Sequence, residues 1–508
     1  MSETKKLKGI GTILVIVAIL LEIVIFPSGE NLAGCAMTFL TWYVFAKIGL
    51  NKKLIKEHLF SWLIFLSMSM YRILPLFATL LEFKPITYKF ELPYETFTGE
   101  TFLYIISALA FFLATKKTTN NIIQRVLDRF DFYDMIPVAQ IWLLGIFGFI
   151  LRLYFYKNGD AKIGDTMGKF LTGFLSLQYA PIILFFPSLY GKGQKIITFN
   201  FFALVSQVFL FALSLSSNSR LELIEPFGIF ILLLMVALLN SSKPFFKIAK
   251  PKYFILLLIT VFVLSPIISN FSSAMLATRK IREDVSKKEL LQKTWEAYGN
   301  DDEQKSYVRS NNDIIRNSDG WSEEYLSNFA LNRYANIRIT DLTLFHAKRI
   351  GYNNEIMQMF FYSNILRLFP TPILMCFHLN IDKKEIISNG DFLYNLSTGY
   401  SYAASRVTSH LADGLATFGN KYFILQFILF FIQFKLVDCF LIWRRGRVIY
   451  SFFGLLLIFS IFGMFRNANG CFGEVSFILR GFWQDLLLFI LVLKLSGILF
   501  HTRYLAKR

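Results

Sequence analysis

Three residues in the last hundred or so positions carry side chains suited to proton transfer. His410 stands in Thr408-Ser409-His410-Leu411-Ala412-Asp413-Gly414, with Asp413 three residues on, and Glu474 follows in Gly473-Glu474-Val475. An imidazole titrates near neutrality and serves as a general base when a carboxylate orients it. His410, Asp413 and Glu474 are therefore the candidate catalytic groups, with the base open among them. The plain alternative for His410 is a hydrogen-bonded histidine at the membrane interface.

Four arginines suggest a second chemistry. Arg220 closes the polar break Ser216-Ser217-Asn218-Ser219-Arg220; Arg333 and Arg338 lie in Asn332-Arg333-Tyr334-Ala335-Asn336-Ile337-Arg338; Arg480 follows Leu479 near the end of the chain. A guanidinium stays charged in apolar surroundings, and its planar fork matches phosphate oxygens. Arg220, Arg333, Arg338 and Arg480 are thus candidates for binding a diphosphate without a metal. Each also has a plainer reading, as a snorkelling interfacial arginine or, for Arg338 with Asp341, as an intrahelical ion pair. Tyr394, Tyr400 and Tyr402 add aromatic faces that could stack on sugars.

Other chemistries lack their markers. The sequence contains no GxxxxGK[ST] loop, no HExxH and no GxSxG. Its four cysteines are scattered without CxxC spacing, so no metal site is expected.

The elements that must position these residues follow from composition. Of 508 residues, 55% are hydrophobic and 17% charged, and phenylalanine alone contributes 57. A soluble domain averages about 25% charge, so a polytopic membrane protein is expected. Apolar runs long enough for a roughly 30 Å hydrocarbon core number about twelve. They fall near 10–27, 31–50, 59–82, 101–115, 135–156, 168–190, 198–216, 224–240, 253–271, 421–443, 449–465 and 484–500. The net charge of +18 is topological, because the inner segments collect clusters such as Lys5, Lys6 and Lys8 or Arg444, Arg445 and Arg447. That rule puts both termini in the cytoplasm, and nucleic acid is not needed to explain the charge.

Three regions result: an N-terminal bundle over 1–270, an extracytoplasmic insertion over 271–420, and a C-terminal bundle over 421–508. The insertion has near-zero net charge and holds three of the five histidines. Within it, Arg279 to Ala297 reads as a solvated helix and Trp321 to Gly351 as one long helix. Ile356 to Leu379 is apolar but broken by Pro370 and Pro372, which fits re-entrant or interfacial half-helices. Substrate must arrive from the lipid or from outside.

The order of parts resembles the Wzy-type oligosaccharide repeat-unit polymerases, which are related to the O-antigen ligases. The matching pieces are Ser219-Arg220, Asn332-Arg333 through Arg338, Phe369-Pro370-Thr371-Pro372, Gly390-Asp391-Phe392, and Ser409-His410 through Phe418-Gly419. The resemblance implies an all-α, GT-C-like glycosyltransferase in the bacterial cytoplasmic (inner) membrane. It would transfer a glycan from a polyprenyl diphosphate carrier to a lipid-linked repeat unit at the outer face, with no cofactor. Implied partners are that lipid-linked oligosaccharide, the bilayer, a chain-length regulator and a flippase. The sequence departs from the ligases, which often carry His-Asn where this chain has His410-Leu411. A ligase or a lipid-linked oligosaccharide flippase is the alternative, although no repeated halves of the transporter kind are visible.

Overall fold

A computed structural model describes residues 3–158, 166–190, 195–216, 220–241, parts of 270–298, most of 321–465, and 470–498. Within 321–465, residues 324, 329–331, 333–334, 380, 382–386 and 401–405 are outside the description. The described chain is overwhelmingly helical. Eight helices are long and apolar enough to cross a bilayer: Lys5–Ile25, Gly29–Gly49, Leu59–Leu81, Pro93–Ala114, Val138–Lys157, Glu222–Asn240, His410–Phe440 and Phe472–Ile498. Two shorter apolar helices, Phe170–Phe185 and Phe201–Leu215, coincide with further expected spans. The run expected over 253–271 lies almost wholly outside the described residues. These helices mark a predominantly helical, multi-pass membrane protein.

Contacts divide the chain into two units. The first joins Met1–Asn120, Trp321–Cys439 and Ser460–Asp485. Its helices pack through aromatic side chains because apolar faces in a membrane gain by close fit, not by leaving water. Phe65 stacks on Phe111 with centroids 4.4 Å apart, and Phe111 meets Phe434 edge-on. Nearer the expected outer end, Phe97, Ile86, Leu76 and Met37 form a core with Tyr325, Leu326 and Ile337.

The second unit comprises Asn121–Gly320, Phe440–Phe459 and Leu486–Arg508. Its first helix, Ile122–Arg129, opens with a capping box in which Asn121 and Gln124 satisfy each other's backbone N–H groups. Gly148 lets the Val138–Asn158 helix approach the Leu175–Phe185 run, where a Cβ would stand 2.2 Å from the Gln178 nitrogen. Arg152, buried on that helix, pairs with Glu222.

Several local expectations change. Residues 441–450 form an antiparallel hairpin, Leu441–Arg444 with Arg447–Tyr450, turning at Arg445 and Gly446, both with positive φ. After it, the apolar run breaks into Phe452–Leu456 and Ile458–Phe462 rather than one span. Of the long helix expected from Trp321 to Gly351, the described residues show Arg338–Ile350 as helix, whereas 321–323 and 325–328 are not helical. Upstream, side chains take the backbone hydrogen bonds a helix would need. Asn332 Oδ1 accepts from the Tyr325 and Leu326 N–H groups, and Glu82 accepts those of Ser327 and Asn328. The helix expected over Arg279 to Ala297 is described as Lys287–Tyr298. The proline break is as expected, with Glu355–Arg367 ending before Pro370 and Thr371–Cys376 beginning after it.

Candidate active site

His410 is the first residue of a helix that starts inside the first unit. Ser409 caps it: its Oγ accepts the Ala412 N–H at 3.1 Å and meets Thr343 Oγ1 at 2.8 Å. Such a cap satisfies one of the orphan N–H groups that a buried helix start would otherwise leave. The imidazole Nε2 lies 2.8 Å from Glu474 Oε1, and both side chains are buried. A carboxylate on one ring nitrogen fixes the ring and stabilises its protonated form.

Asp413, one turn along, faces elsewhere. Its Oδ2 accepts the Cys471 N–H at 3.2 Å, and Asn389 Nδ2 lies 3.4 Å from each oxygen. Gly470 makes this approach feasible: it has φ +63°, and a Cβ would stand 2.3 Å from Asp413 Oδ2. The carboxylate that orients His410 is thus Glu474, and Asp413 anchors the turn preceding the Glu474 helix.

Behind the imidazole lies a cation that sequence reasoning passed over. The His410 ring stacks on Phe465 at 4.9 Å, and the Arg72 guanidinium lies 5.5 Å from the same Phe465 centroid. Arg72 Nη2 pairs with Glu100 Oε2 at 2.6 Å, with both side chains almost wholly buried. Glu100 Oε1 accepts from Thr340 Oγ1 at 2.8 Å, and the Thr340 hydroxyl also meets Tyr71 at 3.1 Å. The Arg338–Ile350 helix, through Thr340 and Thr343, therefore holds both the Arg72–Glu100 and the His410 side of the site. A signal for Arg72 existed, because a lone ionisable residue inside an apolar run, here 59–82, is a functional candidate by default, whereas Glu100 falls just outside the run over 101–115.

Of the four arginines singled out from sequence, the two whose side chains are described, Arg338 and Arg480, bond elsewhere. Arg338 Nε donates to the Lys89 carbonyl at 3.0 Å, and its Nη1 donates to the Ser322 carbonyl. The intrahelical pair with Asp341 is replaced by different bonds: Asp341 accepts the Glu91 and Leu92 N–H groups at 2.7 and 2.8 Å and the Thr96 hydroxyl at 3.1 Å. Burial pushes the Asp341 carboxyl up, against the pull of those bonds and of Arg338. Arg480 is exposed and donates to Gln484. Arg220 opens the Arg220–Asn240 helix in the second unit, its side chain lying outside the description, as does all of Arg333.

A second buried pair, Arg406 with Asp391 at 3.1 Å, sits under Tyr394, whose centroid is 3.8 Å from the guanidinium. Tyr394 is thereby committed to the core and offers no face to a sugar. Tyr400 is exposed, and Tyr402 lies outside the described residues. No protein-family model, curated protein or solved structure matches the chain.

Proposed function

We propose that the protein is a membrane glycosyltransferase that polymerises lipid-linked oligosaccharide repeat units at the outer face of the bacterial cytoplasmic membrane. In this reading it has about twelve spans, the number of apolar runs of bilayer length, in the GT-C-like arrangement that the resemblance implies, with both termini in the cytoplasm. The observation that carries the proposal is the His410–Glu474 pair at the head of a membrane helix, sharing Phe465 with the Arg72–Glu100 pair.

The acceptor hydroxyl oxygen attacks the anomeric carbon of the donor glycan while the bond from that carbon to the diphosphate oxygen breaks. His410 takes the hydroxyl proton, and Glu474 stabilises the imidazolium that forms. The carrier diphosphate leaves with its electron pair, and guanidinium groups in a partly dry setting offset that charge. Arg220 and Arg333 remain the sequence-based choices for this task. An O-antigen-type ligase would use the same transfer step with a different acceptor.

The test supplies purified protein in liposomes with a lipid diphosphate-linked oligosaccharide. Elongated lipid-linked product is expected. His410→Gln and Glu474→Gln should each slow elongation by about 10²–10⁴-fold, the range of general acid–base contributions. Transbilayer movement of unchanged substrate without elongation would instead identify a flippase.

A further inference from the structure

Beside the His410 helix, within the same unit, lies a hollow of about 380 Å³ bounded by Tyr94, Glu95, Thr98, Tyr352, Leu411 and Leu415. Gly99 also lines it, and any Cβ there would stand 2.4 Å from Leu411 Cδ2. The lining mixes aliphatic side chains, Leu344, Leu411 and Leu415, with the hydroxyls of Tyr94, Thr98 and Tyr352 and the Glu95 carboxylate.

Both tyrosines are exposed, and each stands where the structure holds its surroundings. The Tyr94 hydroxyl rests against Gly29, where a Cβ would lie 2.7 Å from it. Tyr352 sits between Gly351 at φ +85° and Asn353 at φ +60°, a left-handed pair that glycine and asparagine adopt most readily. The N–H groups of Asn353 and Asn354 then donate to the carbonyls of Leu415 and Ala416, at 3.1 and 2.8 Å. Those carbonyls belong to the helix that His410 begins, so the Tyr352 turn is fastened to the candidate catalytic helix.

The charge in the hollow is balanced. Glu95, the carboxylate among the lining residues, pairs with Lys348 at 2.5 Å. Two aromatic rings with polar tips, aliphatic side chains and a few polar groups around one hollow suit a ligand that has apolar ring faces and hydroxyl edges. A neutral sugar has both, whereas a lipid phosphate would look for unpaired cations.

We infer that the Tyr94–Tyr352 hollow is a glycan subsite that holds an uncharged sugar of the acceptor chain next to the His410 helix. This rests on the glycosyl-transfer reading but is tested by binding alone. The full-length protein in detergent micelles is titrated with neutral tetrasaccharides of hexoses and N-acetylhexosamines, and with a uronic-acid tetrasaccharide. Contact is read by saturation-transfer NMR. Tyr94→Ala and Tyr352→Ala should each raise Kd for a bound neutral sugar roughly tenfold, the loss of about one aromatic contact. Tyr94→Phe and Tyr352→Phe, which keep the ring, should bind within about threefold of the parent, less than one full hydrogen bond.

The proposal is overturned if no neutral sugar binds, if binding ignores both alanine variants, or if the acidic sugar is preferred. It is equally overturned if only phosphatidylglycerol vesicles show tyrosine-dependent contact. Elongation is scored separately on the parent protein. Elongation without tyrosine-dependent sugar binding removes the subsite alone, and tyrosine-dependent binding without elongation removes the polymerase reading alone.

Discussion

Replacing Glu100 by Gln isolates the charge at the centre of the site. The substitution preserves side-chain size, and the glutamine Oε1 can still accept from Thr340 Oγ1, which lies 2.8 Å from Glu100 Oε1. What disappears is the carboxylate opposite the Arg72 guanidinium, whose side chain is only 1% exposed. A guanidinium does not shed its proton in proteins, so the uncompensated charge must be borne by the fold. Its remaining bonds are to the carbonyls of Met68 and Glu100, at 2.9 and 3.0 Å, together with the rings of Tyr71, Tyr104 and Phe465. Breaking one side of a buried pair costs about 3–5 kcal/mol. That is roughly two to four powers of ten in the folding equilibrium. Adding Arg72→Met removes the orphan charge and should recover most of the lost stability, since the cost of a broken buried pair lies largely in the unpaired charge. Reversible unfolding in mixed micelles, followed by tryptophan fluorescence, measures both variants. If Glu100→Gln is as stable as the parent, or if Arg72→Met fails to rescue it, the pair is not the closed, dry ion pair described here. A rescued double variant that cannot elongate glycan would assign Arg72 a role beyond folding.

Two further outcomes are expected. Gly470→Ala should destabilise the turn by about 1–3 kcal/mol, because it strains a positive φ and crowds Asp413 Oδ2, and it should also slow elongation by disturbing the entry to the Glu474 helix; unfolding and turnover assays on one preparation read both. Burial alone would raise the Glu82 carboxyl, yet the hydrogen bond from Lys84 and those from Asn328 and Ser327 hold it below its ordinary 4.5. Its folded-state pKa is therefore depressed, and its stabilisation is intact at neutral pH. That stabilisation is lost as pH falls from about 4.5 through the folded value. Glu82→Gln should remove this acid limb, and proteolysis across residues 325–328 at pH 7 and pH 4 should show protection falling with acid only in the parent.

Much of the helical layout follows from the sequence alone. Apolar runs of bilayer length give eight described helices close to the expected places, and the two prolines end Glu355–Arg367 where predicted. The reason is local: a backbone in hydrocarbon must satisfy its own hydrogen bonds, and proline cannot. The candidate base was legible too, as a histidine at the head of a span.

The partners of these groups were decided by tertiary structure. Glu474 is sixty-four residues from His410, and Arg72 meets Glu100 across two helices. No periodicity encodes such pairings, because they depend on which helix faces lie against each other and at what height. The same holds for Asp341 and Arg338, which spacing would join to each other but which packing turns to separate backbone partners. Helix positions are fixed by the solvent each residue prefers, whereas the site exists only once packing brings the few charges together, where each needs a counter-charge or a hydrogen bond.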